Sequence, residues 1–135
     1  MKFNTKLLHG KAGRNTPDGA TLPGISQVSA FYYDSAEHLE KVFGNKSPGF
    51  AYTRIGNPTV AAFEQRINEV EGGTGAVACA SGMAAITVAL LNVLSAGDEI
   101  IAGSGLFGGT IDLFKDLEAF GITTHFIPHI TVEDI

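Results

Sequence analysis

From Asn57 onward, apolar residues recur at helical spacing, with Val60, Phe63, Ile67 and Val70 following at steps of three and four, the repeat of one helix face. Asn57 is a capping residue type, Pro58 suits the first helical position and Gly72-Gly73 stops the run, so a helix is predicted from Pro58 to about Glu71. Ala76-Val77-Ala78-Cys79-Ala80 is a short apolar run that predicts a buried strand. Ser81-Gly82 turns the chain. Met83 to Leu94 is then apolar on nearly every face, which predicts a helix covered on several sides. Glu99-Ile100-Ile101-Ala102 predicts a second strand, Gly103 to Gly109 a glycine-rich loop, and Thr110 to Phe120 an amphipathic helix through Ile111, Phe114 and Leu117, ended by Gly121. Ile122 to Ile127 alternates partly and predicts a third strand, after which Thr131-Val132-Glu133-Asp134 resembles a helix start. Strand, helix, strand, helix, strand in that order implies parallel strands joined by right-handed crossovers, a βαβαβ unit of the α/β class. Three strands make an incomplete sheet of this kind.

Residues 1–58 contrast with this. They are rich in Gly, Pro, Asn, Ser and Thr, as in Gly13-Arg14-Asn15-Thr16-Pro17-Asp18-Gly19, and lack sustained periodicity outside the stretch from Asp34 to Phe43. There Ser35 caps and Leu39, Val42 and Phe43 give a short helix its apolar side. The expected organisation is an N-terminal arm over 1–58 that faces a partner, and the first part of a larger domain over 59–135, because long irregular segments are usually functional, disordered or wrapped on a partner.

Composition narrows the function classes. With 44% apolar and 17% charged residues, and no apolar run near the ~20 residues of a membrane helix, the chain is expected to be soluble, with no membrane partner. The N-terminus lacks the apolar core of a secretory signal, and a single cysteine, Cys79, agrees with a reducing compartment; a cytoplasmic location is the expectation. A net charge of −5 with nine scattered basic residues argues against a nucleic-acid surface, which needs massed Lys and Arg. His9, His38, His125 and His129 show no metal-ligand spacing, so no metal is expected. Cys79, inside a predicted strand, is expected to be a buried, inert thiol. Glu64, Glu69, Glu71, Asp116 and Glu118 are expected mostly on solvated helix faces.

Three segments can carry chemistry. Ser81-Gly82-Met83 stands between an apolar run and a helix, where unpaired backbone N–H groups and the helix dipole favour an anion; the plain alternative is that Ser81 only caps its helix. Tyr52-Thr53-Arg54-Ile55-Gly56-Asn57-Pro58-Thr59 places a guanidinium and a phenol just before a helix, where Arg54 could grip a phosphate and Tyr52 add a hydrogen bond; the alternative is an arginine in a surface loop with a tyrosine packed nearby. Gly105-Leu106-Phe107-Gly108-Gly109-Thr110 follows a strand at the end where open α/β sheets bind ligands, and Phe107 is placed either to stack on a planar ring or to fill a core. Gly73-Thr74-Gly75-Ala76-Val77-Ala78 fits a dinucleotide-binding pattern but follows a helix and precedes a strand, the wrong order for presenting a helix N-terminus to pyrophosphate.

Taken in order, Tyr52 through Thr59, Glu71-Gly72-Gly73, Ala80-Ser81-Gly82-Met83-Ala84-Ala85 and Leu106-Phe107-Gly108-Gly109-Thr110 resemble the family of Cys/Met-metabolism enzymes that depend on pyridoxal 5′-phosphate (PLP), over essentially the whole chain. Within that family, Ala36 through Thr59 and Gly108 through Phe114 look most like the O-acetylhomoserine sulfhydrylases, with methionine γ-lyases and cystathionine γ-synthases sharing much of the pattern. The resemblance implies an N-terminal arm and an incomplete aminotransferase-like (fold type I) large domain. It implies that the backbone at Ser81, Gly82 and Met83 holds the PLP phosphate, that Phe107 stacks on the cofactor, and that Tyr52 and Arg54 reach the active site of a neighbouring subunit. It also implies a dimer with shared active sites, assembled as a homotetramer, acting on a small amino-acid ester with sulfide or a thiol. Two departures stand out. Phe107 lacks the hydroxyl of the tyrosine common at that place, which keeps stacking but not a hydroxyl-dependent proton transfer. None of the lysines at 2, 6, 11, 41, 46 and 115 matches the family's catalytic lysine segment, so no catalytic residue is assigned in this chain, which is expected to be inert by itself or to serve as a noncatalytic dimerisation piece.

Overall fold

Three helices begin where a capping side chain stands, at Ser35, Asn57 and Ser81. In the computed structural model, which describes residues 2–10, 19–128 and 131, the chain divides into two units, Met1–Ala78 and Cys79–Ile135. Residues 11–18 and 132–135, covering most of the loop before Gly19 and of the helix start expected after Thr131, lie outside the described residues, as does His129.

The first unit holds three helices, α1 (Phe3–His9), α2 (Ala36–Phe43) and α3 (Pro58–Glu71). At the start of α2 the Ser35 hydroxyl accepts a hydrogen bond from the His38 amide at 3.2 Å, with Glu37 in the first turn and Lys41 in the last, both placed to suit the helix dipole. At α3 the Asn57 Oδ1 accepts from the Thr59 amide at 2.8 Å and Pro58 occupies the first turn. Gly72 closes α3 in the left-handed region (φ 69°) and its N–H donates to Asn68 O, the conformation a glycine adopts without penalty.

Helix α1 was not anticipated, because Phe3, Leu7 and Leu8 are too few to set a rhythm. Its support comes from far along the chain. It packs on α3, and Arg66 Nη1 donates to Lys6 O and Leu7 O at 2.9 and 2.7 Å, satisfying carbonyls that the last turn of a helix leaves open. Between α2 and α3 the irregular segment is pinned by two backbone hydrogen bonds, Phe31 N to Ala51 O (3.1 Å) and Thr53 N to Ser29 O (2.9 Å), around a single antiparallel bridge between Ala30 and Tyr52. The Tyr33 hydroxyl both donates to Phe50 O and accepts from Phe50 N, at 3.1 Å each.

The buried strand expected at 76–80 is absent. Val77 is 80% exposed and the segment has no ladder partner among the described residues. The Ala78 amide donates instead to Glu64 Oε1 at 2.8 Å, so a side-chain carboxylate, not a neighbouring strand, takes a backbone donor there. Glu64 is thereby engaged where a solvated carboxylate was expected. Cys79 is exposed where a buried thiol was expected.

The second unit is α4 (Gly82–Leu91), β1 (Glu99–Gly103), α5 (Gly108–Asp116), a short 3₁₀ turn (Leu117–Phe120) and β2 (Thr123–Ile127). The sheet among the described residues has two strands, not three: β1 and β2 pair in parallel from Glu99↔Thr123 to Gly103↔Ile127. Parallel pairing forces the crossover through α5. The last turn of the expected helix tightens into the 3₁₀ form, and Gly121 (φ 78°) ends it. A Cβ at Gly121 would stand 3.2 Å from the Ala96 Cβ while Gly97 N donates to Gly121 O at 2.8 Å, so both φ and space call for glycine there.

The core of this unit is Ala102, Phe114, Leu117 and Ile122, with Ile86, Leu90, Leu94, Ile100, Leu113 and Phe126 packed against it. Helix α4, expected to be covered on several sides, has no buried residue. One face meets the core through Ile86 and Leu90, whereas Val88 and Leu91 stay about half exposed. Across the sheet, His125 Nε2 and Glu99 Oε2 lie 2.9 Å apart on an exposed face.

Because Ile122 is 2% exposed at the centre of this cluster, Ile122→Ala is expected to cost about 2–5 kcal/mol. Val93→Ala, at a site 72% exposed, should change stability by less than about 0.5 kcal/mol. Urea unfolding of the two variants followed by circular dichroism checks the difference.

Candidate functional site

In the second unit the strand β1 ends at Gly103, and Ser104 N extends its pairing by donating to Ile127 O at 2.8 Å. The loop that follows delivers Phe107 to the N-terminal flank of α5. The Phe107 ring is 75% exposed, so it does not fill the core. A Cβ built on Gly109 would lie 2.9 Å from Phe107 Cε1 and 3.7 Å from Met83 Sδ. Gly109 therefore leaves room for the phenyl ring and sets it in the neighbourhood of the first turn of α4, where Met83 stands.

At that turn Ser81 is extended (φ −156°, ψ 163°) and its hydroxyl accepts from the Ala84 amide at 3.1 Å, while Ala85 N donates to Ser81 O at 3.0 Å. Ser81 does cap its helix. The cap uses only the third helical amide, and the N–H groups of Gly82 and Met83 have no partner among the described residues. No acidic side chain stands in this first turn, and a Cβ at Gly82 would meet nothing within 4 Å. The approach to these amides is open. Unpaired N–H groups at the positive end of a helix dipole, with unobstructed access, suit an anion such as a phosphate ester. The exposed Phe107 ring, in the same unit, suits a planar ring. The residues of this unit thus fit the phosphate and one ring face of PLP.

The other two candidates belong to the first unit. Tyr52 O accepts from Ile55 N (2.9 Å) and Gly56 N (3.0 Å), closing a turn that carries Arg54 at its tip. The Arg54 Cζ lies 5.2 Å from the centroid of the Tyr52 ring, within cation–π range. Arg54 makes no ion pair with a described residue, so its guanidinium fork is available to an anion. Behind the turn, Phe31, Leu39, Phe43 and Ile55 line a hollow of about 360 Å³ to which Tyr52 and Arg54 also contribute. The structure thus brings together Tyr52 with Arg54 in one unit, and in the other sets Phe107 and the Met83 sulfur both close to Gly109.

The sequence marks Asn57 as a helix cap, and Thr53, Thr59 and Gly109 stand in its motifs without a role of their own. Asn57 is 5% exposed, and burial of a carboxamide requires hydrogen-bond partners on both its ends. The signal for Gly109 is the Gly108-Gly109 pair directly after an aromatic residue. Lys115, an exposed lysine, pairs with Asp112 at 3.5 Å. Among the described residues, no group of three or more His, Cys, Asp or Glu is placed to hold a metal, and no helix is long and apolar enough to cross a membrane.

Residues 4–135 match the family model described as Cys/Met metabolism PLP-dependent enzyme. The chain is 42% identical over 126 residues to an O-acetyl-L-homoserine sulfhydrylase of Corynebacterium glutamicum, covering 93% of this chain and 29% of that protein. It is 36% identical over 134 residues to an L-methionine gamma-lyase of Fusobacterium nucleatum, covering 98% of this chain and 34% of that protein. A Campylobacter jejuni crystal structure that carries a pyridoxyl-lysine phosphate superposes with a TM-score of 0.83 at 32% identity, covering 94% of this chain and 31% of that one. The chain therefore spans about a third or less of the length of these relatives.

Ser81→Ala removes the hydroxyl that caps α4 and is expected to destabilise that helix by about 1 kcal/mol. Amide hydrogen exchange in residues 84–88 of the variant should quicken accordingly, while exchange in the β1–β2 ladder stays slow.

Proposed function

The chain belongs to the Cys/Met-metabolism family of PLP-dependent enzymes, and from that premise we propose that it is the N-terminal part of an enzyme replacing the acetyl group of O-acetylhomoserine with sulfide or a thiol, giving homocysteine or methionine. The observation that carries this choice of substrate is the 42% identity to an O-acetyl-L-homoserine sulfhydrylase across nearly the whole chain. Methionine γ-lyase chemistry is the second reading, favoured by the gamma-lyase relative that covers 98% of the chain.

On this reading the amides of Gly82 and Met83, with the Ser81 turn that aims them, hold the phosphate of PLP. Phe107 lies against its ring. Tyr52 and Arg54 complete the phosphate site of a neighbouring copy in a dimer, and two such dimers form the tetramer. PLP, when bound, supplies an electron sink for bonds at the substrate's amino-acid carbons. This chain's own residues then bind, orient and shield. The guanidinium and the helix amides together offset most of the charge of a phosphate dianion, and the Phe107 face keeps water from one side of the ring. Phe107 has no hydroxyl, so any proton moved near it passes through another group. The lone Cys79 suits a cytoplasmic enzyme.

Two measurements test the proposal. Incubated with PLP, O-acetylhomoserine and sulfide, the 135-residue chain is expected to form no homocysteine, because Lys115 pairs with Asp112 on an exposed helix face and no lysine of the sequence matches the family's catalytic segment; turnover would contradict this assignment. In the complete enzyme, Arg54→Ala is expected to weaken PLP binding by about 1.5–3 kcal/mol, the range for a hydrogen bond to a charged group. Equal PLP affinity in the two proteins would remove Arg54 from the site.

A further inference from the structure

We infer that Asn57 is a positioning residue for the phosphate-binding turn: beyond capping α3, its buried side-chain amide holds the Thr53 hinge that presents Tyr52 and Arg54. The inference rests on the reading of Tyr52 and Arg54 as phosphate ligands and adds to it the device that fixes them.

A helix cap needs only an acceptor. Asn57 Oδ1 meets that need by accepting from Thr59 N at 2.8 Å, and a serine or aspartate in its place would do the same. What an asparagine adds is a pair of N–H donors. Both are used: Nδ2 donates to Ser26 O at 3.1 Å and to Thr53 Oγ1 at 3.1 Å. Three hydrogen bonds thus leave one carboxamide that is 5% exposed, and two of them point away from the helix it caps.

The Thr53 contact is the consequential one. Thr53 stands between Tyr52 and Arg54, and its hydroxyl passes the hydrogen bond on by donating to Val28 O. Its amide donates to Ser29 O at 2.9 Å. A chain from Asn57 Nδ2 through Thr53 Oγ1 to Val28 O is self-reinforcing, since each bond polarises the next. Close by, Ser26 N donates to Thr59 Oγ1 at 2.8 Å, so the strip 26–29 is stitched to 53–59 at both ends. Thr53 is held by its side chain and its backbone at once. Its neighbours on either side are left to meet each other, Arg54 over the Tyr52 ring, with the guanidinium free of any described carboxylate. Removing the Nδ2 donors while keeping the cap should leave α3 formed and the turn that carries Arg54 loosened.

The test compares PLP with pyridoxal, which lacks the phosphate, in the apo form of the complete enzyme. The ratio of their affinities reads the phosphate contacts and is insensitive to a general loss of stability. Asn57→Ser keeps a capping oxygen and lacks both donors. It is expected to lower the ratio about 3- to 10-fold, the equivalent of one or so neutral hydrogen bonds, and to lower it by less when Arg54→Ala is already present, because only the Tyr52 hydroxyl then remains to be positioned. Thr53→Val, which breaks the same chain from its other end, is expected to match it, and Thr53→Ser, which restores the hydroxyl, to recover the parent ratio. If Asn57→Ser does not fold, the Thr53 pair carries the test. An unchanged ratio in Asn57→Ser or Thr53→Val, with α-helical circular dichroism intact, overturns the inference. An unchanged ratio in Arg54→Ala alone overturns the phosphate role of Arg54 and this inference with it, so the two failures are told apart by which variant is silent.

Discussion

The first turn of an α-helix leaves backbone N–H groups that the helix itself cannot satisfy, and the way this chain treats those groups organises both of its units. Ser35, Asn57 and Ser81 each supply one oxygen to one amide of α2, α3 and α4. At α3 the capping residue is buried and its remaining polar atoms are spent on the segments that precede the helix. At α4 the cap stands exposed and leaves the amides of Gly82 and Met83 open. The same requirement produces a structural knot in one case and, on the reading proposed above, an anion site in the other.

The two candidate pieces are built differently for a physical reason. An anion held by backbone amides needs a rigid helix end and close approach, which Gly82 provides by having no side chain. An anion held by a guanidinium needs a long side chain whose root is fixed, and the stitches around Thr53 fix it. The aromatic components follow suit: Tyr52 lies under Arg54, and Phe107 keeps its place because Gly109 offers no Cβ to displace it.

Features written locally were legible in the sequence. The limits of α2 and α3, the glycine stop at Gly121 and the parallel pair after Glu99 all follow from caps, periodicity and turn residues within a few positions of the element they define. Features that depend on distant partners were not. Helix α1 is held by Arg66, some sixty residues later, and no pattern within Phe3–His9 announces it. The apolar run at Ala76–Ala80 has the composition of a strand, but composition does not supply a neighbour, and a carboxylate from α3 takes the Ala78 amide. The apolar faces of α4 likewise exceed what the described residues of its unit cover. Of the candidate site, the residue types at Tyr52, Arg54, Ser81, Gly82, Met83 and Phe107 could be named from sequence, whereas the roles of Asn57 and Gly109 needed three dimensions.

On the reading proposed above, one phosphate is gripped by helix amides from this chain and by a guanidinium from a second copy of it. A crystal structure of the complete enzyme with PLP bound decides this. Phosphate oxygens are expected at about 3 Å, ordinary hydrogen-bond range, from the Gly82 and Met83 amides of one copy and from the Arg54 guanidinium of its neighbour. A phosphate bound elsewhere, or an Arg54 that faces solvent in the loaded enzyme, would contradict it.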